Sequence, residues 1–144
     1  MKVSLILAQK PNQQVATVTP DLSIDAALRE LREHRIGALV VSHGNGSIDG
    51  ILSERDIVRE LGRRGEGCLK DSVSDLMTRN LIGCVPDDTT DHVLTKMTDG
   101  RFRHMPVMEG DKMIGLISIG DVVKARLSEL SMEKDALEGM IKGF

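Results

Sequence analysis

A chain of 144 residues holds one compact domain, or two very small ones sharing a core. With 40% hydrophobic and 28% charged residues it lies outside the range of disordered chains, and a net charge of −3 supplies no basic face for nucleic acid or an anionic membrane. Trp and Tyr are absent and the aromatic set is Phe102 and Phe144, so the stacking platforms of single-strand nucleic-acid binders are missing and a bound base would lie between aliphatic side chains and backbone.

Residues 1–11 form an N-terminal segment. Its apolar run is shorter than a signal-peptide core and is followed by no A-x-A-like site. No stretch approaches the roughly 20 apolar residues of a membrane span. Cys68 and Cys84 have no CxxC spacing and no nearby His, which reads as two reduced thiols. Together these features predict a cytoplasmic protein.

From residue 12 the chain contains itself twice. Pro20, Asp25, Leu28, Arg35 and Val41 recur at one constant offset as Pro86, Asp91, Leu94, Arg101 and Val107. After a one-residue deletion in the turn, Gly50, Ser53, Asp56 and Val58 recur as Gly115, Ser118, Asp121 and Val123. Each copy opens with a short β-prone run, residues 16–18 or 82–85, that stops at a Pro-Asp turn. Ser23 or Thr89 then stands where a helix N-cap is needed. Ile24, Ala27, Leu28 and Leu31 in the first copy, and Val93, Leu94 and Met97 in the second, follow at helical spacing. An apolar strand comes next, residues 38–41 or 105–108, and then a turn, marked in the first copy by Asn45-Gly46. A second strand, residues 48–52 or 112–117, runs into a helix opening at Asp56 or Asp121. The unit is β-α-β-β-α, and the fold class is α/β (α+β). Each unit is too small to bury a good core alone, so the two are expected to pack sheet to sheet. The predicted division is residues 12–66, a linking helix within 67–80, residues 81–128, and a helical extension over 129–144 with Leu127, Leu130, Leu137 and Ile141 as its apolar stripe.

Two strands end in nearly the same words, Gly50-Ile51-Leu52-Ser53-Glu54-Arg55-Asp56 and Gly115-Leu116-Ile117-Ser118-Ile119-Gly120-Asp121. Ser-x-x-Asp at a strand-to-helix junction reads first as a capping box, and Ser72-Val73-Ser74-Asp75 is expected to be only that. It also suits a nucleotide. A helix N-terminus attracts phosphate, a hydroxyl there donates to it, and a carboxylate one turn on accepts from ribose hydroxyls. Glycine at the strand start lets a backbone or a ligand approach closely. The two readings are compatible.

The doubled β-α-β-β-α unit, with Gly-apolar-apolar-Ser-x-x-Asp in each half, resembles a CBS-domain pair, or Bateman module. The likeness spans about residues 12–128. Ile57-Val58-Arg59 after the first motif, and Arg103-His104-Met105-Pro106-Val107, are similar to small free-standing bacterial members. The resemblance implies two repeats related by a pseudo-twofold axis with two clefts between them. It places Ser53, Arg55 and Asp56 opposite Ile82, Arg103, His104 and Met105 in cleft one. It places Ser118 and Asp121 opposite Ala16, Ile36, Gly37 and Ala38 in cleft two. Arg103 and His104 stand where cleft two has Gly37 and Ala38, so cleft one is expected to hold a phosphate-bearing ligand better. Of the basic run Arg59, Arg63 and Arg64, a solvated helix face is the plainer reading.

Neither a P-loop, Gly-x-Ser-x-Gly nor HExxH occurs, and His34, His43, His92 and His104 lack metal-ligand spacing. The sequence therefore predicts no catalysis, no metal and no catalytic cofactor. The resemblance implies a sensor or regulatory module that binds AMP, ATP or NAD(H), dimerises and acts on a regulated protein, and composition predicts no nucleic-acid or membrane partner. The competing reading is a structural interaction module with vestigial clefts. ADP and S-adenosylmethionine also belong to the class of ligand implied.

Overall fold

The structure, a computed structural model, describes residues 1–10 and 15–143. The assigned start of the first repeat at residue 12 and Phe144 at the end of the helical extension lie outside the described residues.

Capping chemistry sets the helices. In the first repeat β1 (Thr17–Val18) precedes α2 (Ile24–His34), whose N-cap Ser23 accepts the Ala26 N–H at 3.1 Å. In the second, α5 (Thr90–Gly100) starts at Thr89, which accepts the His92 N–H at 3.2 Å. These two helices end alike, on Arg35 and Arg101 in the left-handed region, with φ 53° and 57°. That conformation turns the chain sharply into β2 (Ala38–Val41) and β4 (His104–Glu109). Each hairpin closes with a second strand, β3 (Gly50–Ser53) or β5 (Lys112–Ser118). Asn45 and Gly46 both take positive φ, as the Asn-Gly turn signal implies.

The strands then run into α3 (Glu54–Arg64) and α6 (Ile119–Ile141). Both helices open two residues earlier than expected. Ser53 and Ser118 are the N-caps, and Asp56 and Asp121 sit one turn in as the reciprocal members of the box.

The first sheet has the order β1-β2-β3, with β1 parallel to β2 and Ala38 opposite Ser53 in the antiparallel hairpin. The second sheet is the hairpin β4-β5, with His104 opposite Ser118. The strand expected over residues 82–85 is reduced to a single bridge between Cys84 and Val107. Proline explains the difference. In the first repeat the Val40 N–H donates to Ala16 at 3.0 Å. The equivalent of Val40 is Pro106, which has no N–H, so the ladder stops after Cys84 has made its two bonds, 3.0 Å to Pro106 O and 2.8 Å from Met108 N.

Two cores result. The first gathers Ile24, Leu39, Leu52, Ile57 and Val73, and the second Val3, Met97, Met105, Ile117 and Val122. A short helix completes each. α4 (Val73–Leu76) follows a 3-10 turn (Gly65–Lys70) and closes the first core, with the Val73 N–H bonded to Leu22 O and the Ser74 N–H to Pro20 O. α1 (Val3–Gln9) does the same for the second, through Val3 to Asp88 O and Ser4 to Pro86 O. The parallel extends to the strand glycines. A Cβ on Gly50 would meet Thr78 O at 2.7 Å and Met77 Sδ at 2.8 Å, and one on Gly115 would meet Leu7 Cδ2 at 2.7 Å. Both glycines thus admit a neighbouring segment of the same chain.

Candidate functional site

Among the described residues, two cavities lie between the repeats. Cleft one, about 280 Å³, begins at the α3 N-terminus and is lined by Ser53, Arg55, Asp56, Ile82, Arg103 and His104, all foreseen from sequence. Cleft two, about 570 Å³, begins at the α6 N-terminus and is lined by Ala16, Ile36, Gly37, Ala38, Ser118 and Asp121, again all foreseen. Met105 lines neither. It is fully buried in the second core, because strand alternation turns it away from the cleft that His104 faces.

Both Ser-x-x-Asp motifs are capping boxes. In the first, the Ser53 N–H and Oγ donate to Asp56 Oδ2 at 2.9 and 3.1 Å, and the Asp56 N–H donates to Ser53 Oγ at 3.2 Å. In the second, the Ser118 N–H donates to Asp121 Oδ2 at 2.9 Å and the Asp121 N–H to Ser118 Oγ at 3.2 Å. Ser72 and Asp75 repeat the pattern, the Ser72 N–H reaching Asp75 Oδ2 at 3.1 Å, and line neither cleft.

The two carboxylates differ in what is left over. Asp56 is 7% exposed, and among the described residues its Oδ1 has two long contacts, 3.4 Å to Arg59 Nη1 and 3.4 Å to Thr78 Oγ1. Asp121 Oδ2 is taken by Lys10 Nζ at 3.0 Å while its Oδ1 meets no partner among the described residues, and Lys10 also donates to Leu116 O at 2.8 Å. Burial pushes the Asp121 carboxyl up, yet the Ser118 hydrogen bond and the Lys10 ammonium outweigh it and hold it below its ordinary value.

Cations surround both clefts. Cleft one has Arg55, Arg59, Arg101 and Arg103. Cleft two, expected to be poor in cations, has Lys10 and Arg35, with the His34 ring beside them. The comparison of Arg103-His104 with Gly37-Ala38 misses these because they come from α1 and from the end of α2. Arg35 and Arg101 were visible as a repeat pair but not as site residues. Arg59 joins cleft one, whereas Arg63 and Arg64 turn to Glu60 at 3.0 and 2.6 Å. Phe102 also lines cleft one, so a base there meets an aromatic ring as well as the aliphatic Ile51, Leu81 and Ile82.

His104 lines both clefts. Its Cε1 is 3.4 Å from where a Gly37 Cβ would stand, so the β2 and β4 starts meet at this ring. Burial lowers its pKa; Glu54 and Asp121 oppose the shift, and Lys10 and Arg103 add to it. The imidazole is therefore neutral at pH 7. A phosphate beside it would favour the charged form, so binding should take up a proton between the lowered pKa of the free protein and the raised one of the complex. Affinity for a phosphorylated ligand is expected to rise as pH falls through that window and to level off below it. Calorimetry in two mildly acidic buffers of different ionisation heat reads the proton directly, and an uptake that persists in His104→Gln would exclude this ring as its source.

Among the described residues no three His, Cys, Asp or Glu side chains form a group able to hold a metal ion. Nor is any helix long and apolar enough to cross a membrane.

The CBS domain family model matches the chain twice, at residues 7–63 and 73–128. A CBS domain-containing protein of Arabidopsis thaliana, CBSX3, mitochondrial, is 36% identical over 129 residues. The match covers 87% of this chain and 63% of that protein, so the chain spans less than two thirds of its length. An uncharacterised 17.7 kDa protein of Acidianus ambivalens is 32% identical over 143 residues, covering 99% of this chain and 83% of that one. The crystal structure of a CBS-domain containing protein from Agrobacterium tumefaciens superposes with a TM-score of 0.83 at 46% identity, over 88% of this chain and 99% of that one. The CBS-domain pair of protein MJ0100, solved in complex with 5′-methylthioadenosine and S-adenosyl-L-methionine, gives a TM-score of 0.76 at 25% identity, over 90% of this chain and 98% of that one. With two matched copies, the shared architecture and the inter-repeat clefts, this chain belongs to the CBS-domain family and is a tandem CBS pair, a regulatory module.

Proposed function

We propose that this CBS pair is a cytoplasmic sensor that binds an adenine nucleotide (AMP, ATP or NAD(H)) in cleft one, catalyses no reaction, and works as a homodimer on a regulated protein. The observation that carries the reading is the set of four arginines around one cavity that also holds the buried Asp56, whose Oδ1 meets Arg59 and Thr78 at 3.4 Å. A carboxylate with acceptor capacity to spare suits a ribose diol. Arginines at a helix N-terminus suit phosphate. Ile51, Leu81, Ile82 and Phe102 offer apolar surface for adenine. The adenosine ligands of the MJ0100 pair support the same class.

Calorimetric titration of nucleotide-stripped protein with AMP, ADP, ATP, NAD, NADH and S-adenosylmethionine tests the proposal. One ligand should bind with a heat lost in Asp56→Ala, a variant that keeps the Ser53 cap, removes its reciprocal partner and should cost about 1 kcal/mol of stability, which a melting curve checks. Silence across the panel by folded protein would leave the clefts vestigial and the chain an interaction module.

A further inference from the structure

The second half of α6 takes no part in either cleft. Its first turns bury Val122 and Ala125 in the second core, and from residue 131 to 141 every residue but Gly139 is exposed. Seven large apolar side chains on α6 are exposed; Met132 and Met140 lie apart, and the other five are ordered. Val123, Leu127, Leu130, Leu137 and Ile141 are 40%, 62%, 45%, 60% and 85% exposed. They fall alternately four and three residues apart, with Lys134 in the one remaining place, on a stripe turned away from Val122 and Ala125. That is the spacing of a coiled-coil seam.

We propose that a second copy of this chain covers this stripe, with the two α6 helices antiparallel. The arrangement deepens the homodimer reading above and names its surface. Antiparallel pairing about the middle of the stripe fills every layer from the chain's own residues. Val123 meets the second copy's Ile141, Leu127 its Leu137, and Leu130 its Lys134, each twice by symmetry. Charge selects the direction. Parallel helices would stack Lys134 on Lys134 inside the seam and set Glu133 beside Glu138. Antiparallel helices give the Lys134 stem an apolar neighbour and bring Lys124 beside the second copy's Glu138. One like pair remains, Glu133 with its own copy, and Arg126 Nη1 lies 3.9 Å from Glu133 to offset it. Glu133, Asp135 and Glu138 on the same half-helix argue against an anionic membrane as the occupant.

Sedimentation equilibrium on the full chain tests the proposal. The wild type should dimerise. Leu137→Lys, at an exposed position where folding is not at stake, should raise the dimer dissociation constant about 100-fold by placing an unpaired charge in the seam. Lys134→Leu should lower it about tenfold. Cys68 and Cys84 are buried, so a spin label on Lys142→Cys reports direction. Antiparallel helices separate the two labels by about 30 Å at 1.5 Å per residue, whereas parallel ones hold them about 10 Å apart. A dimer indifferent to Leu137→Lys would overturn this surface and leave the homodimer reading standing. A monomer at all concentrations would overturn both, and labels close together would overturn the antiparallel arrangement. None of these outcomes touches the nucleotide titration.

Discussion

Replacing Arg103 with Ala is expected to weaken binding of a phosphorylated adenosine ligand about 10- to 100-fold, since hydrogen bonds to charged groups contribute about 1.5–3 kcal/mol. The loss should fall on the phosphate. Adenosine and 5′-methylthioadenosine, which carry none, should lose little, so the ratio of AMP to adenosine affinity is the diagnostic quantity. Arg103 is exposed, and its structural contribution is its carbonyl, which accepts the Ile119 N–H at 2.8 Å and survives the substitution. A change in binding with an unchanged melting temperature therefore reads the side chain alone. Arg103→Lys should recover only part of the affinity, because an ammonium cannot make the guanidinium's paired bonds. Equal affinity for AMP in the wild type and in Arg103→Ala would remove this residue from the phosphate site and turn attention to Arg101, whose left-handed backbone makes Arg101→Gly a clean removal of charge.

Much of this architecture was legible because the chain states it twice. Helical spacing beginning after Ser23 and Thr89 fixed α2 and α5, and the matched Gly…Ser-x-x-Asp phrases located both strand-to-helix junctions. The two sets of cleft residues also come from opposite repeats as the resemblance implied, Met105 excepted. What escaped has three physical causes. Pro106 cancels a ladder bond, which pattern-matching of residues 82–85 does not register. Arg35 and Arg101 reach the clefts through a left-handed turn, a backbone property invisible in hydropathy. Lys10 and Leu7 arrive from a seven-residue helix whose importance depends entirely on what it packs against. With Lys10 and Arg35 both clefts carry cations, and the contrast between them rests on the four arginines of cleft one, Arg55, Arg59, Arg101 and Arg103.

That seven-residue helix carries the largest expected effect on stability. Ile6→Ala should destabilise the protein by about 2–5 kcal/mol, the range for removing a buried branched side chain and leaving a cavity. Ile6 is 4% exposed and belongs to the second core, while its neighbour Leu5 is 46% exposed, so Leu5→Ala should stay within about 0.5 kcal/mol. A helix this short has no stability of its own; packing and the bonds from Val3 to Asp88 O and Ser4 to Pro86 O hold it. Urea unfolding measures the loss, and hydrogen exchange shows where it falls. If α1 is the second repeat's counterpart of α4, the Val3 and Ser4 amides should lose protection first in Ile6→Ala, while those of Val73 and Ser74 keep theirs. Because α1 also brings Leu7 and Lys10 to cleft two, that cleft should lose its shape while cleft one retains its ligand. Uniform loss of protection across both repeats would instead mean that the two cores unfold as one unit, and that the pseudo-twofold axis divides the structure without dividing its stability.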